Sequence, residues 1–163
     1  MKVSQAGLVI IIFMLLATDT NAQIDSSHKR AKSIYVEVLR LKEAGNLFTG
    51  NFDIRFNKKQ NGLGAHVGAG VIRSLIGGNT FYIPVGINAL VGKKAPHYFE
   101  PRVELINVLY SKYYNNKTEV GFLPTVGYRY QPSYNGLTFR AFAGPYVKSK
   151  TFFTAGVSVG YKF

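Results

Sequence analysis

Apolar and polar residues alternate with a period of two along most of the chain. The clearest stretch is LFTGNFDIRF (Leu47–Phe56), in which every second residue from Phe48 onward is apolar or glycine and the residues between them are polar or charged. A period of two is typical of a β-strand whose two faces meet different surroundings. The stretch therefore predicts a strand with one apolar face and one polar face.

The same alternation recurs in seven other segments, which gives eight predicted strands. They cover residues 33–41, 47–56, 62–72, 80–91, 98–105, 119–130, 137–144 and 154–163. Connections such as NKKQNG, GKKAPH and QPSYNG are short and turn-like, so neighbouring strands should pair as antiparallel hairpins. The sequence thus predicts an all-β fold, an eight-stranded antiparallel up-and-down β-barrel whose last strand pairs with the first and leaves no free edge.

The N-terminal segment has a different pattern. Lys2 is followed by an unbroken apolar run from Gly7 to Ala17, and then by small residues at Thr20 and Ala22. The run is shorter than the ~20 apolar residues that a membrane-spanning helix needs, and the pattern is that of a secretory signal peptide. We predict a signal peptide over 1–22, cleaved after Ala22, a short periplasmic segment over 23–32 and the barrel over 33–163. An uncleaved anchor is the alternative.

The placement of charge indicates which face of the barrel points outward. Removal of the signal takes away one lysine and one aspartate, so the formal net charge stays at +12. Five carboxylates and five basic residues fall on the polar faces of the strands, where they are predicted to fill the interior as an ion-paired network. The ten residues are Glu37, Asp53, Arg55, Glu100, Arg102, Glu104, Glu119, Arg129, Arg140 and Lys162. The opposite face is apolar and suits lipid, as in a transmembrane β-barrel.

A soluble barrel of the lipocalin type is the alternative, with its apolar face inside and its charges in water. The chain contains no tryptophan, so the G-x-W motif of that class is absent near the first strand. An apolar outer face of this size in water would also promote aggregation. Both observations favour the membrane barrel.

Several segments resemble the small outer-membrane β-barrel proteins of Bacteroidota, many of which are uncharacterised. The segments are SIYVEVL, GLGAHVGAG, FYIPVGINALVGKKAPHYFE, GFLPTVGYRYQP, LTFRAFAGP and AGVSVGYKF, and the resemblance spans Ser33 to Phe163. It implies an integral location in the outer membrane and an eight-stranded barrel, but no known activity. The chain ends in Tyr161, Lys162 and Phe163, which resembles the aromatic signal read by the barrel-assembly machinery. The resemblance thus implies Tyr161 and Phe163 as an assembly signal.

Candidate chemistry is sparse. The glycines of GLGAHVGAG do not match the G-x-G-x-x-G spacing, and no helical pattern follows them, so we interpret them as leaving room for bulky arginines inside the barrel. The histidines, His28, His66 and His97, do not share a face at metal-ligand spacing. The sequence also offers no nucleophile beside a base. We predict no enzymatic activity, catalytic residue, cofactor or metal.

The remaining cations cluster in the connections between strands. If the N-terminus is periplasmic, the outer connections carry basic residues that are predicted to contact lipopolysaccharide phosphates. These residues are Arg40, Lys42, Arg73, Lys112, Lys117, Lys148 and Lys150. Basic residues that bracket a membrane belt do not fit nucleic-acid binding.

The predicted function is structural, or that of a surface-interaction protein, in contact with outer-membrane lipid and lipopolysaccharide. Two alternatives are a narrow channel or carrier for small hydrophobic molecules, and a lipid-modifying barrel enzyme. The carrier would need a lateral opening or a less filled interior. The enzyme would need His66 close to a hydroxyl group and a carboxylate.

Overall fold

Eight β-strands account for most of the residues that the structure describes. The computed structural model describes residues 30–41, 45–58, 60–74, 78–93, 95–109 and 118–163. The strands are β1 Lys32–Leu41, β2 Gly45–Arg55, β3 Gly62–Ser74, β4 Gly78–Leu90, β5 His97–Leu109, β6 Thr118–Tyr130, β7 Gly136–Val147 and β8 Thr151–Lys162. In this described part of the chain, no helix is long and apolar enough to cross a membrane. The predicted signal peptide lies outside the described residues.

The strands form one closed antiparallel barrel in which each strand pairs with its neighbour in sequence and β8 pairs with β1. The closing ladder runs from Ser33 opposite Lys162 to Arg40 opposite Ala155. Beyond it, Phe163 donates a backbone hydrogen bond to Lys32 (3.0 Å) and accepts one from it (3.3 Å). The predicted eight-stranded up-and-down topology is therefore confirmed, and the last residue of the chain is held by the first strand.

The outer face of the barrel is apolar. Large hydrophobic side chains point outward from every strand and are substantially exposed, for example Leu63 (58%), Val126 (55%) and Val157 (58%). Asn107 of β5 is a polar residue on this face, and its side chain donates to the carbonyl of Ile83 at 3.2 Å. Apolar residues outside and charged residues inside are the arrangement of a transmembrane β-barrel, as the sequence predicts.

The two ends of the barrel differ. We call the end where β1 begins and β8 finishes the terminal end, and the opposite end the loop end. Buried charged residues occupy the interior near the terminal end. A cluster of buried apolar residues occupies the half near the loop end: Leu39, Leu47, Tyr82, Ile106, Val108, Leu123, Phe142 and Tyr146. The interior is thus divided into a charged half and an apolar half.

Candidate functional site: the barrel interior

Asp53 lies at the centre of the charged half. Its carboxylate accepts hydrogen bonds from Arg55 at 2.7 and 2.8 Å, from Arg140 at 3.2 Å and from Arg129 at 3.3 Å. Asn88 adds a donor at 2.7 Å and accepts a bond from Arg55. Asp53 is 1% exposed. Three guanidinium groups therefore neutralise one fully buried carboxylate, which is the condition for keeping it ionised away from water.

Glu100 of β5 shares two of these arginines. Its carboxylate lies 3.3 Å from Arg129 and 3.5 Å from Nε of Arg140, and it accepts a bond from Asn88 at 2.9 Å. Arg129 also donates to the hydroxyl of Ser33 at 3.0 Å. Because β1, β2, β4, β5, β6 and β7 all contribute, this group ties together strands on different sides of the barrel.

Arg102 organises a second group, nearer the middle of the barrel. It donates to Glu37 at 2.8 Å and lies 3.2 Å from Glu104. Glu104 in turn lies 2.6 Å from Nε2 of His66. On the side towards the apolar half, the guanidinium of Arg102 sits 4.0 Å from the ring centroid of Phe142. This cation–π contact is where the charged half meets the apolar half.

The sequence-predicted network falls into three places. The structure brings eight of the ten residues together, as four carboxylates and four arginines: Glu37, Asp53, Glu100, Glu104, Arg55, Arg102, Arg129 and Arg140. Glu119 lies apart from them and pairs with Lys148 near the loop end, where its side chain is 40% exposed. Lys162 lies at the terminal end, where it bonds to oxygen atoms that carry no formal charge.

These contacts of Lys162 close the terminal end of the barrel. Its ammonium donates to the side chain of Gln60 at 2.6 Å and to the carbonyls of Pro132 and Ser133 at 2.8 Å. Gln131 donates to the carbonyl of Gln60 at 3.1 Å. Turns from two hairpins are therefore fastened across the mouth of the barrel.

A glycine makes room for one of the buried arginines. Gly64 of β3 is directly opposite Arg55 of β2, and a Cβ atom at position 64 would overlap the Arg55 guanidinium. The interpretation of the GLGAHVGAG glycines is confirmed at this position. The same segment places His66 inward, where its side chain is 0% exposed and paired with Glu104.

The apolar half of the interior is not predicted by the sequence. The alternation that reveals β5 is lost after Leu105, because the inward residues Ile106 and Val108 are apolar while the outward residue Asn107 is polar. The predicted strand therefore ends at Leu105, although the structure continues to Leu109. Continuing the even-numbered inward positions of β5 would have identified Ile106 and Val108.

The residues predicted to contact lipopolysaccharide are only partly described. Arg40 is exposed and donates to the side chain of Asn46 at 3.1 Å, and Lys150 is exposed in the β7–β8 turn. Lys148 pairs with Glu119. Arg73 lies in β3, and Lys42, Lys112 and Lys117 lie outside the described residues. The two residues of the predicted assembly signal, Tyr161 and Phe163, are on the outward face of the β8 end.

Among the described residues, no group of three His, Asp or Glu side chains is arranged to hold a metal ion. His66 and Glu104 form an acid–base pair, but both side chains are buried in the barrel interior, and Glu104 also pairs with Arg102. The geometry of the interior is suited to neutralising charge and joining strands.

Comparison with known proteins gives the class of the fold. No family model and no curated protein sequence matches the chain. A de novo designed transmembrane β-barrel matches its structure with a TM-score of 0.51 and 17% identity over 82% of this chain and 93% of that one. Ail, the attachment invasion locus protein of Yersinia pestis, matches with a TM-score of 0.48 and 10% identity over 82% of this chain and 97% of Ail. The similarity to the designed barrel shows the fold: the chain is a small transmembrane β-barrel.

Proposed function

We propose that the protein is an integral outer-membrane β-barrel with a structural or surface-interaction role, exported with residues 1–22 removed. The observation that carries this proposal is the combination of an apolar outer face with a charge-balanced, buried interior. A barrel built in this way is stable only with hydrocarbon around it, and its backbone groups are paired around the whole circumference except at prolines.

The cross-barrel ion pairs support a structural role. Glu37 of β1 reaches Arg102 of β5, and Asp53 of β2 reaches Arg129 of β6. Each of these pairs joins strands that are four positions apart in a ring of eight, so it spans the interior from one wall to the other. The ion pairs of the charged half then hold the strands together across the interior, and the His66–Glu104 pair belongs to this set rather than to a catalytic site.

The charges at the loop end support contact with lipopolysaccharide. The described residues there include the cations Arg40, Lys148 and Lys150, with Glu119 as the acid. Lys and Arg bind phosphate groups through charge-assisted hydrogen bonds, and lipopolysaccharide presents phosphates at the outer surface of the membrane. In this orientation the terminal end faces the periplasm, where the barrel-assembly machinery would meet Tyr161 and Phe163.

Fractionation of the native host, followed by electrophoresis with and without boiling, tests the proposal. We expect recovery in the outer-membrane fraction and a band that migrates differently before and after boiling, because a closed barrel in lipid resists unfolding by detergent until it is heated. Recovery as a soluble periplasmic protein without a band shift would contradict the proposal and would favour the lipocalin-like alternative.

A further inference from the structure

Four prolines stand inside strands of the barrel: Pro84 in β4, Pro101 in β5, Pro124 in β6 and Pro145 in β7. A proline has no backbone N–H, so it removes a donor from the ladder in which it stands. Two of the four face each other. The β6–β7 register pairs Phe122 with Val147 and Val126 with Ala143, which places Pro124 directly opposite Pro145.

The facing prolines interrupt the wall. Residues 123–125 and 144–146 have no ladder pairing with each other, although all six residues are described. We call these two segments the β6–β7 seam. The ladders on both sides of it are continuous: Pro124 pairs with Val103 of β5, and Pro145 pairs with Phe153 of β8. Because both donors are missing across the seam, the carbonyls of Pro124 and Pro145 receive no ladder bond from each other's strand.

A single proline in another ladder has a smaller effect. Pro84 of β4 is opposite Gly68 of β3, and the pairing resumes two residues away, from Val67–Val85 on one side to Gly70–Tyr82 on the other. Gly68 still has an N–H to donate to the carbonyl of Pro84. The β6–β7 seam is therefore the place where the wall loses both bonds of one rung.

The seam lies in the lipid-facing belt. Phe122, Val126 and Val147 flank it, point outward and are exposed by 41%, 55% and 37%. Hydrocarbon supplies no hydrogen-bond donors, so a carbonyl without a ladder bond is unfavourable there. This local cost makes the two strands easier to separate here than where the ladder is complete.

The interior behind the seam is apolar towards the loop end and polar at Thr125, which accepts a hydrogen bond from Nε of Arg102 at 3.3 Å. Leu123 and Tyr146, which point inward from its two segments, belong to the apolar cluster of the loop-end half. The Tyr146 ring lies over Gly121, where a Cβ atom would overlap it, and contacts Phe152 with ring centroids 5.0 Å apart. The Tyr146 ring, packed over Gly121, is thus the part of the apolar cluster that lies directly behind the seam.

We propose that the barrel opens laterally at the β6–β7 seam and that a single acyl chain from the surrounding lipid enters the apolar half of the interior there. The opening faces hydrocarbon, and on the loop-end side of Thr125 it leads to an apolar lining, so an uncharged chain that turns towards the loop end leaves the Arg102 guanidinium on its other side. The charged half and the Lys162 closure stop the chain from crossing to the terminal end. This role as a binder of acyl chains goes beyond the structural role proposed above.

A reversible disulfide bond across the seam, which we call the latch, tests the proposal. The chain contains no cysteine, so the double variant Phe122→Cys/Val147→Cys places one disulfide across residues that are direct partners in the ladder. The chain also contains no tryptophan, so Phe152→Trp adds a single fluorescent reporter within the apolar half. The protein is folded into phosphatidylcholine vesicles, and stearic acid with bromines at mid-chain is added as quencher.

We expect saturable quenching of the Phe152→Trp reporter when the latch is reduced, and loss of that quenching when it is oxidised. Two controls are matched to this design. A latch in an unbroken ladder, Ala141→Cys/Val157→Cys, should not change the quenching, and a lipid-facing reporter, Phe153→Trp, should be quenched in every state. Equal quenching of the inner reporter with the latch open and closed, or none in either state, would overturn the proposal.

A second pair of variants keeps the test independent of the disulfide. Pro124→Ala/Pro145→Ala restores both missing donors, so it should abolish the quenching of the inner reporter, whereas Pro84→Ala should preserve it. Quenching of the inner reporter that persists in the Pro124→Ala/Pro145→Ala variant would contradict entry of the acyl chain at the seam. Brominated phosphatidylcholine distinguishes the source of the chain: if it quenches as well as the fatty acid does and is blocked by the latch, the chain of a membrane phospholipid enters.

Discussion

At the scale of single residues, the number of partners differs among the buried charges. Asp53 has three arginines around it. Glu37, in the described contacts, is hydrogen-bonded to Arg102 alone. A carboxylate that loses its only cation remains buried and uncompensated, and this costs more than the net worth of the pair. Loss of different arginines should therefore have unequal effects.

We predict that Arg102→Leu lowers the free energy of unfolding by ~3–5 kcal/mol, the usual cost of breaking a buried pair. Arg55→Leu should cost less, because Asp53 keeps Arg129 and Arg140. Urea unfolding of the detergent-folded protein measures both values. The double variant Arg102→Leu/Glu37→Leu should recover part of the loss, since it removes the stranded charge as well.

Exposed Arg40→Leu serves as the control and should change the stability little. If Arg102→Leu were as harmless as Arg40→Leu, the interior pairs would not contribute to stability. If Arg102→Leu and Arg102→Leu/Glu37→Leu lowered the free energy of unfolding equally, the stranded Glu37 carboxylate would not be the source of the cost.

At the scale of strands, the sequence predicts all eight elements but not their full lengths. The faces of β2 follow from a strict alternation of apolar and polar residues. The β7–β8 hairpin is longer than predicted, with β7 reaching Val147 and β8 beginning at Thr151. The predicted strand ends at Gly144, directly before Pro145, and proline is unusual in the interior of a strand. Pro145 nonetheless lies within β7, opposite Pro124 of β6, and the ladder between the two strands is interrupted there. That arrangement depends on the register, which alternation alone does not fix.

The end of β8 gives a prediction that separates two roles of Phe163. Its backbone bonds to Lys32, while its side chain is exposed on the outer face. We predict that Phe163→Ala impairs insertion into the outer membrane in cells as strongly as deletion of the residue, but leaves folding in detergent almost unchanged. Heat-modifiable protein in the membrane fraction measures the first, and urea unfolding the second.

Phe153→Ala is the matched control, because Phe153 is another exposed phenylalanine on the outer face of β8. It should assemble normally. If Phe163→Ala assembled as well as the control while the deletion failed, the backbone bonds to Lys32 would be the important feature and the aromatic ring would not be an assembly signal.

At the scale of the whole molecule, the sequence predicts the barrel, its closure and the inversion of its faces. These follow from local alternation and from short connections. The sequence does not predict which charges meet, because Glu37 and Arg102 are joined by the geometry of the closed ring rather than by proximity in sequence. Nor does it separate Glu119 from the interior network, because the inward parity of a position says nothing about its depth along the barrel.

The distribution of charge along the barrel leads to the last prediction. Because the four interior carboxylates and four interior arginines balance, the formal net charge of +12 comes from residues outside that group. If the loop end meets lipopolysaccharide, Arg40→Gln/Lys150→Gln should weaken binding of the folded protein to lipopolysaccharide-containing vesicles. Lys58→Gln/Lys93→Gln, which removes the same charge from exposed residues at the terminal end, should have a smaller effect in vesicles with the loop end outward. The difference between the two variants should shrink as salt is added, since exposed charges are screened over about 10 Å at 0.1 M ionic strength. Equal weakening by the two variants would mean that net charge alone attracts the lipid, and the loop end would then have no special part in binding.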